Sequence, residues 1–244
     1  MVPDIDVTSE RVISATFPVT LAFTPDGRFF YNELLSGRIR VYDLGWTCAF
    51  AQVNVVRCGG FGLLGLAIDT EFEENRYICV YFIGPVADRE YVGHPVIVRF
   101  TDVDGKGQYP TIIVGDLPNT SEVCAYVGGN LHFVPDGYLY VSIRNMQIWE
   151  PNYALDLGSL RGKILRIDKG DGSAASSSAF VEDPQARSRA LPTDSGIPSI
   201  SPSTSRAAGS TLPITCLAAA TSAISPRPET TPATLHRTGR RQAH

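Results

Sequence analysis

One eleven-residue unit occurs twice in the chain, 110 residues apart: Leu21-Ala22-Phe23-Thr24-Pro25-Asp26-Gly27-Arg28-Phe29-Phe30-Tyr31 and Leu131-His132-Phe133-Val134-Pro135-Asp136-Gly137-Tyr138-Leu139-Tyr140-Val141. In the second copy Leu131, Phe133, Leu139 and Val141 fall at every second position on either side of the Pro-Asp-Gly turn. Period-two apolarity around an Asp-Gly turn predicts a β-hairpin, with turns at Asp26-Gly27 and Asp136-Gly137. A looser copy runs from Leu66-Ala67-Ile68-Asp69 through Phe72, Asn75 and Tyr77 to Val80-Tyr81. Each copy is followed by a further short strand: Arg38–Tyr42, Val96–Phe100 and Lys163–Ile167. Strand–turn–strand units with an added outer strand are the pattern of β-propeller blades. The unequal spacings, 45 and 65 residues, leave room for loops between blades. About three blades precede residue 172. The one weak helix signal is Ala154-Leu155-Asp156-Leu157, and Gly172 to Ser178 reads as a linker.

The 244 residues divide sharply in composition. All 23 aromatic residues lie at or before Phe180. The segment 189–244 carries six Arg, one Asp and one Glu, whereas 1–188 has a net charge of −8. With no aromatics, eight prolines after Phe180 and many Ser, Thr and Ala, the tail has little apolar surface to bury, so it is expected to be disordered. The overall charge of −4 argues against a nucleic-acid partner, and six scattered tail arginines are weak grounds for an acidic one. No apolar run approaches the length of a membrane helix, and the start, with Asp4, Asp6 and Glu10, does not read as a signal peptide.

The five cysteines, Cys48, Cys58, Cys79, Cys124 and Cys216, contain no C-x-x-C, which disfavours zinc and thioredoxin-like readings. Cys79 sits in an apolar run and reads as a buried small hydrophobe. A Cys48–Cys58 bridge is one pairing left open. Asp102-Val103-Asp104-Gly105 is better read as a hairpin turn than as a calcium loop, since the later ligand positions are missing. His132 alternates with Leu131 and Phe133 and so points away from the core; His94 reads as solvated. Nucleotide-binding glycine loops and a G-x-S-x-G elbow are absent.

The stretch Tyr126-Val127-Gly128-Gly129-Asn130-Leu131 through Asn145, followed by Leu160-Arg161-Gly162-Lys163-Ile164-Leu165-Arg166-Ile167, resembles the soluble quinoprotein glucose/sorbosone dehydrogenases. Their corresponding blade reads roughly H-x-G-G-N-L-x-F-G-P-D-G-x-L-Y-V-S-x-G-D and then L-x-G-K-I-L-R-I. The resemblance covers residues 17–170. It implies an all-β fold: a partial, about three-blade fragment of a six-bladed β-propeller (residues 1–172), followed by a linker and tail (173–244). A half ring of this kind should leave two apolar blade faces open. The resemblance also implies PQQ as redox cofactor with calcium, a sugar as small-molecule partner, and a periplasmic or extracellular setting.

In that family a His before x-Gly-Gly takes the proton of the sugar C1 hydroxyl while hydride passes to PQQ. An Asp nineteen residues later orients the His and favours its protonated form. Here the His position is Tyr126, the Asp position is Asn145, and the Gly before it is Arg144. A neutral phenol has no free basic nitrogen, and an amide supplies no negative charge. Gly60 stands where the family places a Gln or Glu near the sugar, two residues before Gly62-Leu63-Leu64-Gly65. Gly128 and Gly129, which let backbone approach closely, are the positions the resemblance places at the cofactor. Lys163 matches a structural strand position. Two readings follow: a sugar dehydrogenase-like chain without turnover, and a non-catalytic propeller that binds through its loops.

After Asp183-Pro184-Gln185-Ala186-Arg187 the resemblance stops. Reading the codons behind Leu191 to Cys216 two bases out of frame permits AYGLRNPFDLSFDFEGGWLYVADYV. That string carries the family's R-N-P and a strand alternation absent from the tail as written. The tail is therefore expected to reflect a reading-frame change, which the coding DNA around codons 188–191 decides.

Overall fold

A computed structural model describes residues 8–125, 127–146, 153, 155–177 and 189–190. The expectations for the remaining tail, including its disorder, lie outside these residues.

Among the described residues, eleven strands form three antiparallel sheets. The first contains β1 (Pro18–Phe23), β2 (Phe29–Glu33), β3 (Arg38–Asp43) and β4 (Trp46–Gln52), paired in that order. The second contains β5 (Leu63–Ile68), β6 (Tyr77–Val86), β7 (Arg89–Val103) and β8 (Lys106–Val114). The third pairs β9 (Gly128–Phe133), β10 (Leu139–Ile143) and β11 (Lys163–Ile167). An isolated antiparallel bridge joins Leu165 to Ala190, with the Arg166 amide donating to the Arg189 carbonyl. The arrangement is a partial propeller whose ring is not closed. Residues 173–177, expected as a linker, instead lie against β11: Ile167 bridges to Ala174, and the Asp168 amide donates to Ser173.

The hairpin turns fall where the repeats predict. Gly27 (φ +88°) and Gly137 (φ +82°) take the left-handed conformation, and both face open space, so backbone geometry alone calls for glycine there. The only helix among the described residues is a single turn, α1 (Phe72–Asn75), inside the β5–β6 connection. The weak helix signal at 154–157 does not give a helix over its described residues, 155–157, which lie in turns: the Asp156 amide donates to Tyr153 and the Ser159 amide to Asp156. Asp156, Gly158 and Ser159 favour such local bonds over a helix.

The middle sheet is apolar on both faces, as the run Tyr77-Ile78-Cys79-Val80-Tyr81-Phe82-Ile83 requires. Ile78, Val80 and Phe82 pack with Phe30, Ile39, Val41 and Phe50 of the first sheet. Cys79, Tyr81 and Ile83 pack with Leu131, Leu139, Val141 and Leu165 of the third. Buried polar groups fix how the sheets meet. Fully buried Asn32 donates to the Leu63 carbonyl (2.9 Å) and accepts from the Thr20 amide (2.7 Å). Arg28 donates to Asp26 and Asp102 (both 2.7 Å), joining the first hairpin to the β7–β8 turn. Asp102 also accepts from the Gly105 amide, so the stretch 102–105 is a hairpin turn with its carboxylate committed to protein groups. Lys169 pairs with Asp69 (3.1 Å) and Glu71, tying the third sheet to the second.

The two outer faces differ from expectation. The free face of the first sheet is apolar, with Val19, Leu21 and Phe23 exposed. The free face of the third is mostly polar: Asn130 and His132 are exposed, while Tyr140 and Arg166 both bond Asp136. Among the described residues, one open face is therefore apolar, not two. The strands of the third sheet alternate polar with apolar residues, and the polar set finds its partners within the sheet.

Candidate functional site

Three loops meet at one end of the sheets. The loop before β5 carries Cys58, Gly59 and Gly60; the segment before β9 carries Cys124 to Val127; the segment after β10 carries Arg144, Asn145 and Met146. The Gly60 amide donates to the Cys124 carbonyl (2.7 Å), and Cys58 forms a disulfide with Cys124. This replaces the Cys48–Cys58 pairing. Cys48 lies on β4, opposite Val41, whereas Cys58 faces the second loop. Connectivity of this kind is not readable from spacing, because the partners lie 66 residues apart. The Ser121 amide donates to the Met146 carbonyl (3.3 Å) and the Gly162 amide to the Arg144 carbonyl (3.2 Å), closing the third loop onto its neighbours.

The structure thus gathers the regions of the expected site positions. Gly60 touches Cys124, two residues before Tyr126. Gly128 pairs with Ile143, two residues before Asn145. Tyr126 itself lies outside the described residues, and Asn145 is described with its amide oxygen buried.

Gly128 (φ +77°) and Gly129 (φ +103°) are approached by the protein itself. A Cβ on Gly128 would lie 2.4 Å from the Ser142 carbonyl oxygen and 2.8 Å from the Arg144 nitrogen. On Gly129 it would lie 2.4 Å from Cδ1 of Tyr81, and on Gly65 2.0 Å from the Gly129 carbonyl oxygen. Tyr81 is fully buried and donates its hydroxyl to the Val127 carbonyl (2.9 Å). Burial raises its phenol pKa well above the usual range, so it is a neutral donor. Sequence reasoning singled out the glycines and missed the ring against them. Tyr81 reads in sequence as one more apolar residue of β6.

Lys163, buried on β11, donates to the carbonyls of Tyr153 (2.5 Å) and Arg161 (3.1 Å). Burial lowers its pKa, with Asp156 acting in the opposite sense. It holds the turn after the third loop, in keeping with a structural strand residue. His94, a candidate dismissed from sequence and expected to be solvated, is half-buried and bonds Asn119 and the Gly115 carbonyl (2.8 Å each). Among the described residues, no group of three His, Cys, Asp or Glu side chains could hold a metal ion. An open cleft lined by Arg57, Pro85, Asp88, Arg89 and Tyr91 lies beside the disulfide, with the Tyr91 carbonyl 3.9 Å from the Cys124 sulfur.

The sequence profile of the glucose/sorbosone dehydrogenases matches residues 15–191. The chain belongs to this family. Among solved structures it is similar to the oxidoreductase (glucose dehydrogenase) of Thermus thermophilus, at 31% identity and a TM-score of 0.65, over 74% of this chain and 53% of that one. The soluble aldose sugar dehydrogenase of Escherichia coli, in its apo form, matches at 22% identity and a TM-score of 0.63, over 72% and 50% of the two chains. The PQQ-bound aldose sugar dehydrogenase of Streptomyces coelicolor matches at 24% and 0.59, over 71% and 49%. The chain spans about half the length of these solved relatives. A comparison with curated protein sequences finds no match.

Proposed function

We propose that this chain is a sugar dehydrogenase-like propeller that does not oxidise sugars. In the resembling family the reaction removes hydride from the sugar C1 carbon, PQQ accepts it, and a His–Asp pair receives the hydroxyl proton. The observation that carries the reading is the residue pair at the base position, Tyr126 with Asn145. Neither side chain takes up a proton at neutral pH, and Asn145 contributes no charge to stabilise one. The residues around the paired glycines do not fit PQQ either. The Tyr81 ring and the Ser142–Arg144 backbone already occupy the space that absent Cβ atoms leave.

What this end retains is a loop platform fixed by a disulfide. A second reading, a module that binds through its loops, is favoured by the open cleft beside Cys58, where Arg57 and Arg89 offer guanidinium groups. The disulfide fits an oxidising compartment, which supports a periplasmic or extracellular setting. No helix among the described residues is long and apolar enough to cross a membrane. Titration of PQQ into the full chain, followed by calorimetry with and without calcium, tests the reading without relying on turnover. The expected outcome is no saturable heat; saturable one-to-one binding would sink it.

A further inference from the structure

Of the seven asparagines in the chain, one is followed two places later by a hydroxyl residue: Asn119-Thr120-Ser121, with no proline inside the triplet and Glu122 after it. Asn-x-Ser/Thr is the acceptor sequence of N-linked glycosylation. Such triplets also arise by chance, so the fold decides whether this one can serve. It lies in the segment that joins β8 to β9, and its three side chains go three ways. Thr120 is buried; its hydroxyl accepts from the Gly93 amide (2.9 Å), and its own amide donates to the Gly93 carbonyl (2.8 Å). Asn119 is exposed, with its backbone carbonyl held by Arg161 (3.2 Å). Its side-chain oxygen lies 2.8 Å from Nδ1 of His94, whose other nitrogen is fixed on the Gly115 carbonyl. Nδ2 of Asn119 therefore points away from the ring and makes no hydrogen bond with the described residues. The Ser121 hydroxyl is buried and has no partner among the described residues. A buried hydroxyl left unpaired costs stability, and alanine would avoid that cost. Folded packing thus gives no reason for a serine here.

We propose that Asn119 is an N-glycosylation site, modified before the chain folds and left facing solvent once it has. The Ser121 hydroxyl serves the unfolded acceptor, where the transferase reads it, and is idle afterwards. In the transfer, Nδ2 of Asn119 attacks C1 of a lipid-linked oligosaccharide. The Nδ2–C1 bond forms and the bond from C1 to the lipid pyrophosphate breaks. Lipid pyrophosphate leaves, one amide proton passes to solvent, and nothing is oxidised or reduced. The linkage keeps the amide oxygen, so the contact with His94 survives and the sugar extends from the side that meets water. The disulfide sets the order of events. Cys124 lies three residues beyond Ser121, and its bond to Cys58 draws this segment onto the loop before β5, so transfer precedes the bridge. The same disulfide belongs to oxidising compartments, among them the secretory lumen in which such transfer takes place.

The test directs the full chain into the secretory pathway of cultured eukaryotic cells with an added export signal. Cells and medium are pooled, because transfer precedes folding, and the peptide around Asn119 is weighed by mass spectrometry before and after peptide N-glycosidase. The wild-type peptide should carry a glycan that the enzyme removes. Ser121→Thr should keep that glycan, whereas Ser121→Ala and Asn119→Gln should lose it completely. A second readout separates the proposal from a structural serine. In chain made without glycans, Ser121→Ala should unfold at a urea midpoint no lower than that of the wild type, since its hydroxyl has no partner to lose. A bare Asn119 in the wild type, a glycan that survives Ser121→Ala, or a clear fall in the midpoint of unglycosylated Ser121→Ala would overturn the proposal.

Discussion

Replacing Gly129 by Ala separates two roles for the paired glycines. If they pack the propeller, the cost appears in stability; if they only make room for a ligand, it does not. Two costs apply. At φ +103° an L side chain is strained, by about 1–2 kcal/mol. Its Cβ also falls 2.4 Å from Cδ1 of Tyr81, and that ring is held by burial and by its hydroxyl bond to Val127. Forcing a methyl group into a packed site costs about 1–3 kcal/mol more. Gly137→Ala is the control: its φ of +82° brings similar strain, yet nothing lies within 4 Å of the new Cβ. Both changes restrict the unfolded chain alike, so that effect cancels in the difference. Equilibrium urea unfolding should therefore place Gly129→Ala about 1–3 kcal/mol below Gly137→Ala. With a slope of roughly 2 kcal/mol/M, the midpoint should fall by about 0.5–1.5 M. Equal midpoints for the two variants would refute the packing role and return the glycines to a ligand.

Arg28→Met should cost about 3–5 kcal/mol at neutral pH, because buried Asp102 loses its charged partner and Asp26 keeps only the more distant Arg76 (3.6 Å). Burial opposes ionisation of Asp26, but hydrogen bonds from Arg28 and Thr24 outweigh it and hold its pKa below the usual value. The stabilisation is thus present above the unfolded value near 3.8 and lost as pH falls through the folded one, so the gap between wild type and Arg28→Met should narrow below about pH 4 in urea titrations. The paired change Cys58→Ser/Cys124→Ser should lower stability by about 4 kcal/mol, since the disulfide closes a 66-residue separation; an unchanged unfolding midpoint would count against it. Tyr126→His with Asn145→Asp should not restore sugar oxidation in a dye assay, because neither change reopens the space filled by Tyr81.

The hairpins were legible because Asp-Gly turns and strict alternation are local signals. The outer strands β3 and β11 were legible for the same reason. The edge strands β4 and β8 were not. Lys106–Val114 mixes Lys, Gln, Pro and Thr with exposed Tyr109 and Ile112, as an edge strand can, since its outer side needs neither apolar residues nor every amide. The single helical turn at Phe72–Asn75 carries two Glu and one buried Phe, too short for a periodic signal. What escaped most completely are contacts between distant residues. Arg28 finds Asp102 across 74 positions, Cys58 finds Cys124 across 66, and the Tyr81 hydroxyl finds Val127 across 46. Each depends on how whole sheets stack, which no local pattern encodes. At the site, the substituted positions were visible by resemblance alone, whereas what fills the room beside the glycines needed the fold.

The chain carries the sheets of the sugar dehydrogenase family, and the proposal that it lacks their chemistry can be tested directly. The most direct measurement mixes the purified 244-residue chain with PQQ, calcium, a panel of aldoses and a bleachable dye acceptor, and follows the dye's absorbance. The account predicts bleaching no faster than in the same mixture without protein. Sugar-dependent bleaching that scales with protein concentration would contradict it, and would mean that another group supplies the base that Tyr126 and Asn145 do not.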